Sequence, residues 1–274
     1  MTLRCEKVDR NFGDSVEITN PDGQHDVVLA CEHASAAIPA QFHDLGLSPD
    51  ARYSHIAWDP GALITAQFIS KLLDAPLVHS RVSRLVYDCN RAPSSPSAMP
   101  ETSEIYSVPG NCNLSEQERD RRAQSYYVPF RDALSKTLAA KQHPPVLVTI
   151  HSFTPNYHGR QREVEIGILH DSDTRLADAL LKVAVTDESE NDYIIRRNEP
   201  YGPDDDVTHT LQNHAIPANY LNVMIEIRND LLSTSEACEV VAKSLARWLE
   251  KALKKLAPTN DARSETTTKK QAQQ

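Results

Sequence analysis

The strongest constraint on this chain is the alternation of short apolar runs with segments of helical periodicity. The runs Asp26 to Glu32, Pro145 to Ile150, Val164 to Leu169 and Leu221 to Ile227 are only a few residues long and apolar over most of their length. A strand covered on both faces must read this way, because neither side of it meets water. Between them, Asp59 to Leu73 puts Ala62, Ala66, Ile69 and Leu73 on one stripe, with Pro60 at the first helical position. A Ser115-x-x-Glu118 capping box opens a helix expected to run to about Lys141. Further helices are predicted over 173–185, near 207–214 and over 235–256, and shorter strands over 76–79, 83–87 and 193–195. The pattern predicts an α/β fold, a three-layer sheet sandwich. A single domain is expected over 1–257, with a polar, low-complexity tail over 258–274 expected to be disordered. Residues 92–114 carry four prolines and read as a long irregular excursion of the kind that usually serves function.

Several classes of protein are excluded early. The eight glycines include no pair spaced for a G-x-G-x-x-G turn or a P-loop. With 29 Lys+Arg against 38 Asp+Glu, the chain carries a formal charge of −9, the wrong sign for holding a nucleic-acid backbone. Five cysteines make no C-x-x-C pair, which suits a reducing compartment and argues against zinc-finger chemistry. No run approaches the roughly 20 apolar residues of a membrane span, and the first residues lack a signal-peptide pattern. A cytoplasmic protein with no membrane or nucleic-acid partner is expected.

Polar clusters stand directly after the buried-strand patterns, where open α/β sheets bind their ligands. They are Glu32-His33-Ala34-Ser35, His151-Ser152-Phe153-Thr154-Pro155 and Glu226-Ile227-Arg228-Asn229-Asp230, with Trp58-Asp59-Pro60-Gly61 opening the first helix. His33, Asp59 and His151 together offer two imidazoles and a carboxylate, the composition of a catalytic zinc site that keeps a position open for water. Glu226 is then a spare carboxylate, suited to move a proton from water to a leaving nitrogen. Competing readings stand beside this one. Asp59 before a proline also suits a helix N-cap, His55 could replace one ligand, and His158, His170 and His209 are reserves. Arginines crowd the same clusters: Arg84 shares one side of an extended segment with Asp88 and Asn90, Arg160 follows His151, and Arg228 follows Glu226. A planar guanidinium grips carboxylates bidentately, so their convergence would select an anionic substrate, whereas singly each can be a plain ion pair.

These segments, in this order, resemble the N-formylglutamate amidohydrolase family. The resemblance rests on Ala30 to Ser35 with Ile38-Pro39, His55 to Ala62, Ser83 to Arg91, Val108 to Asn111, His151 to Pro155, Gly159-Arg160, Asn198 to Tyr201 and Val223 to Asp230. It implies a fold similar to zinc-dependent exopeptidases, a three-layer α/β/α sandwich around a mixed central sheet. It also implies hydrolysis of the C–N bond of an N-formyl or N-acyl amino acid. The ligand roles it implies fall on His33, Asp59 and His151, with Glu226 catalytic and zinc the expected divalent metal. Arg84, Asn90, Arg160, Arg228 and Ser152 are the candidates for substrate binding, and Asp88 for a place behind the ligands. Around the first histidine the chain reads Glu32-His33-Ala34-Ser35 where histidine-degrading members resemble Pro-His-Ser-Gly, which suggests a side branch of the family. Glu32 is open to three roles: an added ligand, a partner that orients a ligand, or part of the substrate pocket. The leading expectation is a metal-dependent amidohydrolase for a small anionic N-acyl amino acid such as N-formylglutamate. An amidase for larger acyl or peptide-like amides is the alternative, and a non-catalytic binder of carboxylated metabolites is a third reading.

Overall fold

A computed structural model describes residues 15–187 and 193–257. The tail expected over 258–274 lies outside the described residues. Strands β1 (Val16–Thr19) and β2 (Val27–Cys31) lead through helices α1 (Pro49–Tyr53) and α2 (Ala62–Leu73) to β3 (Leu77–Ser80). A small hairpin, β4 (Thr102–Ser103) and β5 (Tyr106–Ser107), precedes α3 (Glu116–Arg122) and α4 (Val128–Ala139). Next come β6 (Val146–Phe153), a second hairpin of β7 (Asn156–Tyr157) and β8 (Arg160–Gln161), and β9 (Ile166–Leu169). Helix α5 (Arg175–Val185), β10 (Ile195–Arg197), α6 (His209–His214), β11 (Leu221–Arg228) and α7 (Ser235–Leu256) complete the described chain.

Seven strands form one sheet in the order β1-β3-β2-β6-β11-β9-β10. The central run β3, β2, β6 and β11 is parallel, whereas β1 on β3 and β9 on β11 are antiparallel, so the sheet is mixed. Alternation of side chains divides two hydrophobic cores between its faces. Val146, Val148, Ile150, Val223, Ile225 and Ile227 face one core with α2, α5 and α7. Leu147, Met224, Val28 and Ala30 face the other with α4. The long α7 buries Cys238, Val241, Ala242, Leu245, Trp248, Leu249 and Ala252 at the three- and four-residue spacing of a helical stripe. Each fully buried Val, Leu or Ile of this kind contributes about 1.5–3 kcal/mol relative to exposure. No helix among the described residues is long and apolar enough to cross a membrane.

Two local expectations are corrected, and one strand was not anticipated. Residues 83–87 form turns rather than a strand. Ser83 Oγ donates to the carbonyl of Ala57 (2.8 Å) and accepts from the N–H of Leu85, and Val86 N–H returns to the Ser83 carbonyl. These side-chain and turn bonds satisfy the backbone locally, and Leu85, Val86 and Tyr87 are apolar because they are buried in the second core. The helix expected to run from 115 to 141 is divided by a π-helical turn at Ala123–Tyr127, just before Pro129, which has no N–H for the ladder. Strand β1, four residues at the sheet edge, was too short to register as a pattern.

Candidate active site and metal centre

Strands β2, β6 and β11 are neighbours and run parallel, so their carboxyl ends open on one crevice. His151 on β6 and Glu226 on β11 are register partners and share a sheet face with Thr149 and Met224. Polar residues thus replace apolar ones on that face only near the strand ends. His33 follows β2 by two residues, and the loop before α2 brings Asp59 across: its N–H donates to the His33 carbonyl at 2.9 Å. Gly61, with φ +80°, is what lets this loop enter α2, since a Cβ there would stand 2.3 Å from the Leu232 Cβ. Gly61 is itself the residue that precedes the first helical turn, so the Asp59 carboxylate is not spent as an N-cap. It turns into the crevice and accepts from the Ser152 N–H (3.2 Å), while Ser152 Oγ donates to the Pro60 carbonyl (2.8 Å).

At the centre, His33 Nδ1, His151 Nδ1 and Asp59 Oδ2 form a triangle. Its sides are 3.2 Å between the two nitrogens, 3.2 Å from His33 to Asp59 and 3.0 Å from His151 to Asp59. All three residues are buried. Ligand atoms about 2.0–2.1 Å from a tetrahedral zinc stand about 3.3 Å apart, so the triangle is close to the size such an ion requires. The outer ring nitrogens are also held. His33 Nε2 meets Asp88 Oδ1 at 2.7 Å; a ring that donates its Nε2 proton to this carboxylate turns the Nδ1 lone pair toward the centre. His151 Nε2 lies 3.2 Å from Glu32 Oε2, an ion-pair contact without hydrogen-bond alignment. Histidines that bind metals are oriented by carboxylates in this manner.

Charge gives a second test of fit. Glu32, Asp59 and Asp88 are buried carboxylates, and Arg84 is the cation that meets two of them, through Nη2 to Asp88 (2.7 Å) and Nη1 to Asp59 (3.5 Å). Once both rings give up their second proton, as ligation of a metal requires, the cluster keeps two negative charges, the complement of a divalent ion. Burial opposes ionisation of all three acids, yet the facing groups hold each below the usual carboxylate range: His151 for Glu32, His33 and His151 for Asp59, Arg84 and His33 for Asp88. Burial likewise opposes charge on His151, but Glu32 and Asp59 raise its pKa well above that of ordinary histidine. The buried His-Asp-His group can therefore hold a metal ion; its nitrogen and oxygen donors suit zinc and its first-row neighbours alike.

Glu226 behaves differently. Burial pushes its carboxyl up to about 7, with Asp59 adding to the effect and His151 opposing it, and Oε2 has no hydrogen-bond partner among the described residues. It lines a cavity of about 310 Å³ with His33, Asp59, His151, Arg84 and Asn90. That volume is near the lower end for small-molecule sites.

The other expected substrate residues divide. Asn90 and Ser152 line the cavity, but the Asn90 amide is committed to the Val207 carbonyl and the Thr210 N–H. Arg160 is exposed on β8, and Arg228 pairs with Glu165 (3.1 Å) and Asp230 (2.9 Å); neither lines the cavity. Local carboxylates capture Arg228 before it can reach the centre. His55 pairs with Glu104 at 2.7 Å at the cavity wall rather than joining the triangle. His158 lies on the exposed hairpin, His170 meets Arg197, and His209 meets the Tyr127 hydroxyl. Arg91 and Tyr201 were missed as site residues, and both line the cavity. Arg91 is buried; its Nη1 donates to the Asn90 carbonyl at 2.9 Å, and its Nε makes only an ion-pair contact with Asp206 Oδ2 at 3.7 Å. The signal was present, since both fall within the segments 83–91 and 198–201 that carry the resemblance.

A mixed α/β sheet with a buried, carboxylate-braced His-Asp-His centre and a free glutamate at its parallel strand ends defines a hydrolase-type site. The chain belongs to the N-formylglutamate amidohydrolase family, which it matches over residues 25–233. It is accordingly a hydrolase acting on an amide bond. A crystal structure of a gene product from Agrobacterium tumefaciens is similar, with 53% identity and a TM-score of 0.86, over 90% of this chain and 98% of that one. The N-formylglutamate amidohydrolase of Ralstonia eutropha shares the fold at 18% identity and a TM-score of 0.59, over 86% of this chain and 95% of that one. No curated protein matches the sequence.

Proposed function

We propose that the protein is a metal-dependent amidohydrolase that cleaves the C–N bond of a small N-formyl or N-acyl amino acid such as N-formylglutamate. The observation that carries this reading is the buried triangle of His33 Nδ1, His151 Nδ1 and Asp59 Oδ2 beside Glu226, whose Oε2 has no hydrogen-bond partner among the described residues. In it, His33, Asp59 and His151 hold a divalent ion, zinc by preference. Such an ion, when bound, supplies Lewis-acid chemistry, polarising a carbonyl and making water a stronger acid. Glu226 takes a proton from water as the water oxygen attacks the carbonyl carbon, then passes that proton to the nitrogen as the C–N bond breaks. The products are a carboxylic acid and an amine, and the glutamate is regenerated. A carboxyl shifted to about 7 is well matched to both halves of this exchange near neutral pH. Arg84 and Arg91 both line the cavity and supply positive charge toward the substrate carboxylate, Arg84 from its pairs with Asp59 and Asp88 and Arg91 with its Nε 3.7 Å from Asp206 Oδ2. With a net charge of −9 on the chain, attraction of an anion is local to the site rather than a property of the whole field.

A second reading, hydrolysis of a larger acyl group, is favoured by one feature. A shallow groove lined by Trp58, Pro60, Ile64 and Leu232 adjoins the cavity through His55 and Thr154. Metal-loaded protein should release formate from N-formyl amino acids faster than longer acids from matched N-acyl glutamates and aspartates; the reverse order would install the second reading. Chelation should abolish either activity, and turnover that survives complete metal removal would sink both. Behind the ligands, Asp88→Asn and Glu32→Gln are each expected to weaken metal affinity about 10–100-fold. Competition against a chelator of known affinity measures this, and unchanged affinity in both variants would remove the orienting role.

A further inference from the structure

Tyr201 reaches the cavity from the loop between β10 and α6 and is held there from several sides. Its hydroxyl accepts a hydrogen bond from Arg162 Nη1 at 3.0 Å, and it donates to no group among the described residues. Arg162 is itself fixed. Its guanidinium lies 4.5 Å from the ring centre of Tyr157, 4.8 Å from that of Tyr201 and 5.5 Å from that of Phe153. Gly167 supplies the third constraint. It is the register partner of Glu226 on β9, and a Cβ there would stand 2.0 Å from the Glu199 carbonyl oxygen. Absence of that Cβ allows the 198–201 loop to cross β9 and deliver Tyr201 to the cavity that Glu226 also lines.

A hydroxyl that accepts from an arginine and donates to nothing is a preorganised donor. Burial, with Glu226 adding to it, raises the phenol to about 12, so the proton stays on the oxygen near neutrality. Arg84, a cation on the same cavity wall, already has its nitrogens on Asp59 and Asp88. We propose that Tyr201 is a catalytic residue whose hydroxyl donates a hydrogen bond to the substrate carbonyl oxygen as negative charge develops on it, and that Arg162 and Gly167 are its positioning residues. This rests on the amidohydrolase reading above. No proton leaves Tyr201; its bond is made to the tetrahedral state and relaxes when the C–N bond breaks.

Tyr201→Phe is expected to lower kcat about 10²–10³-fold, with KM within about threefold of wild type and metal content unchanged. Arg162→Met should show the same kcat-selective loss, and Arg162→Lys, which keeps a donor, should recover part of it. A Tyr201→Phe enzyme with near wild-type kcat, with a defect in KM alone, or with lost metal overturns the assignment. Should that variant not fold, the Arg162 pair decides: equal kcat in the Met and Lys forms overturns it. A phosphonamidate analogue of an N-acyl amino acid, which mimics the tetrahedral state, should bind wild type at least about tenfold more tightly than Tyr201→Phe. If wild type hydrolyses none of the N-formyl and N-acyl substrates, the amidohydrolase reading fails. The Tyr201 assignment then stands or falls on that binding difference.

Discussion

Glu226→Gln is expected to lower kcat about 10²–10⁴-fold while leaving metal content, fold and KM close to those of wild type. The amide has nearly the shape of the carboxylate, so packing at the end of β11 is preserved, and what is lost is the ability to accept a proton. That selectivity follows from the geometry. Glu226 stands in register with His151 but is outside the donor triangle, and its Oε2 makes no hydrogen bond that the substitution would break. Removing a carboxyl that burial has pushed to about 7 also leaves no buried charge without a partner, so stability should change little. Steady-state kinetics, elemental analysis and thermal melting on the same preparation check the three parts together. Full activity in a metal-replete Glu226→Gln protein would end the case for this glutamate as the base.

The site's centre was legible in sequence because of how a doubly covered sheet is written. Inside such a sheet every residue is apolar, so the first polar residues after a strand mark where the chain emerges at the crevice; His33, His151 and Glu226 all stand at such points. Asp59 was ambiguous, since a carboxylate before a proline fits a helix cap as well, and only the turn at Gly61 shows that the cap position is taken. The arginines were harder. Proximity in sequence to a ligand says nothing about which carboxylate is nearest in space, and Glu165 and Asp230 engage Arg228 from segments whose placement the sequence does not reveal. Arg84 and Asp88 do meet, yet across a turn rather than along a strand. There the apolar residues between them read as β structure because burial, not pairing, selected them. Tyr201 depends on a loop crossing another strand at a glycine, a tertiary relation that leaves no periodicity behind.

His151→Ala should abolish stoichiometric metal binding and, with it, essentially all hydrolysis. The ring supplies one corner of the triangle and also faces Glu32 with its outer nitrogen, so its loss removes a ligand and leaves two buried carboxylates, Glu32 and Asp59, without the imidazole between them. Uncompensated buried charge of this kind costs about 3–5 kcal/mol, so the variant should also melt at a lower temperature than wild type. Two readouts separate ligand loss from general destabilisation. Wild type should gain thermal stability as zinc, cobalt or manganese is added, because an ion that binds only the native state stabilises it by mass action, whereas His151→Ala should not respond. Chelated wild type should recover activity on adding the ion, and the variant should not. Glu226→Gln provides the internal control, since it is expected to hold metal and respond thermally while remaining inactive. A His151→Ala protein that retains one ion per chain through dialysis, or that hydrolyses substrate at a near wild-type rate, would move the metal away from this triangle and leave the cluster as a buried ion network.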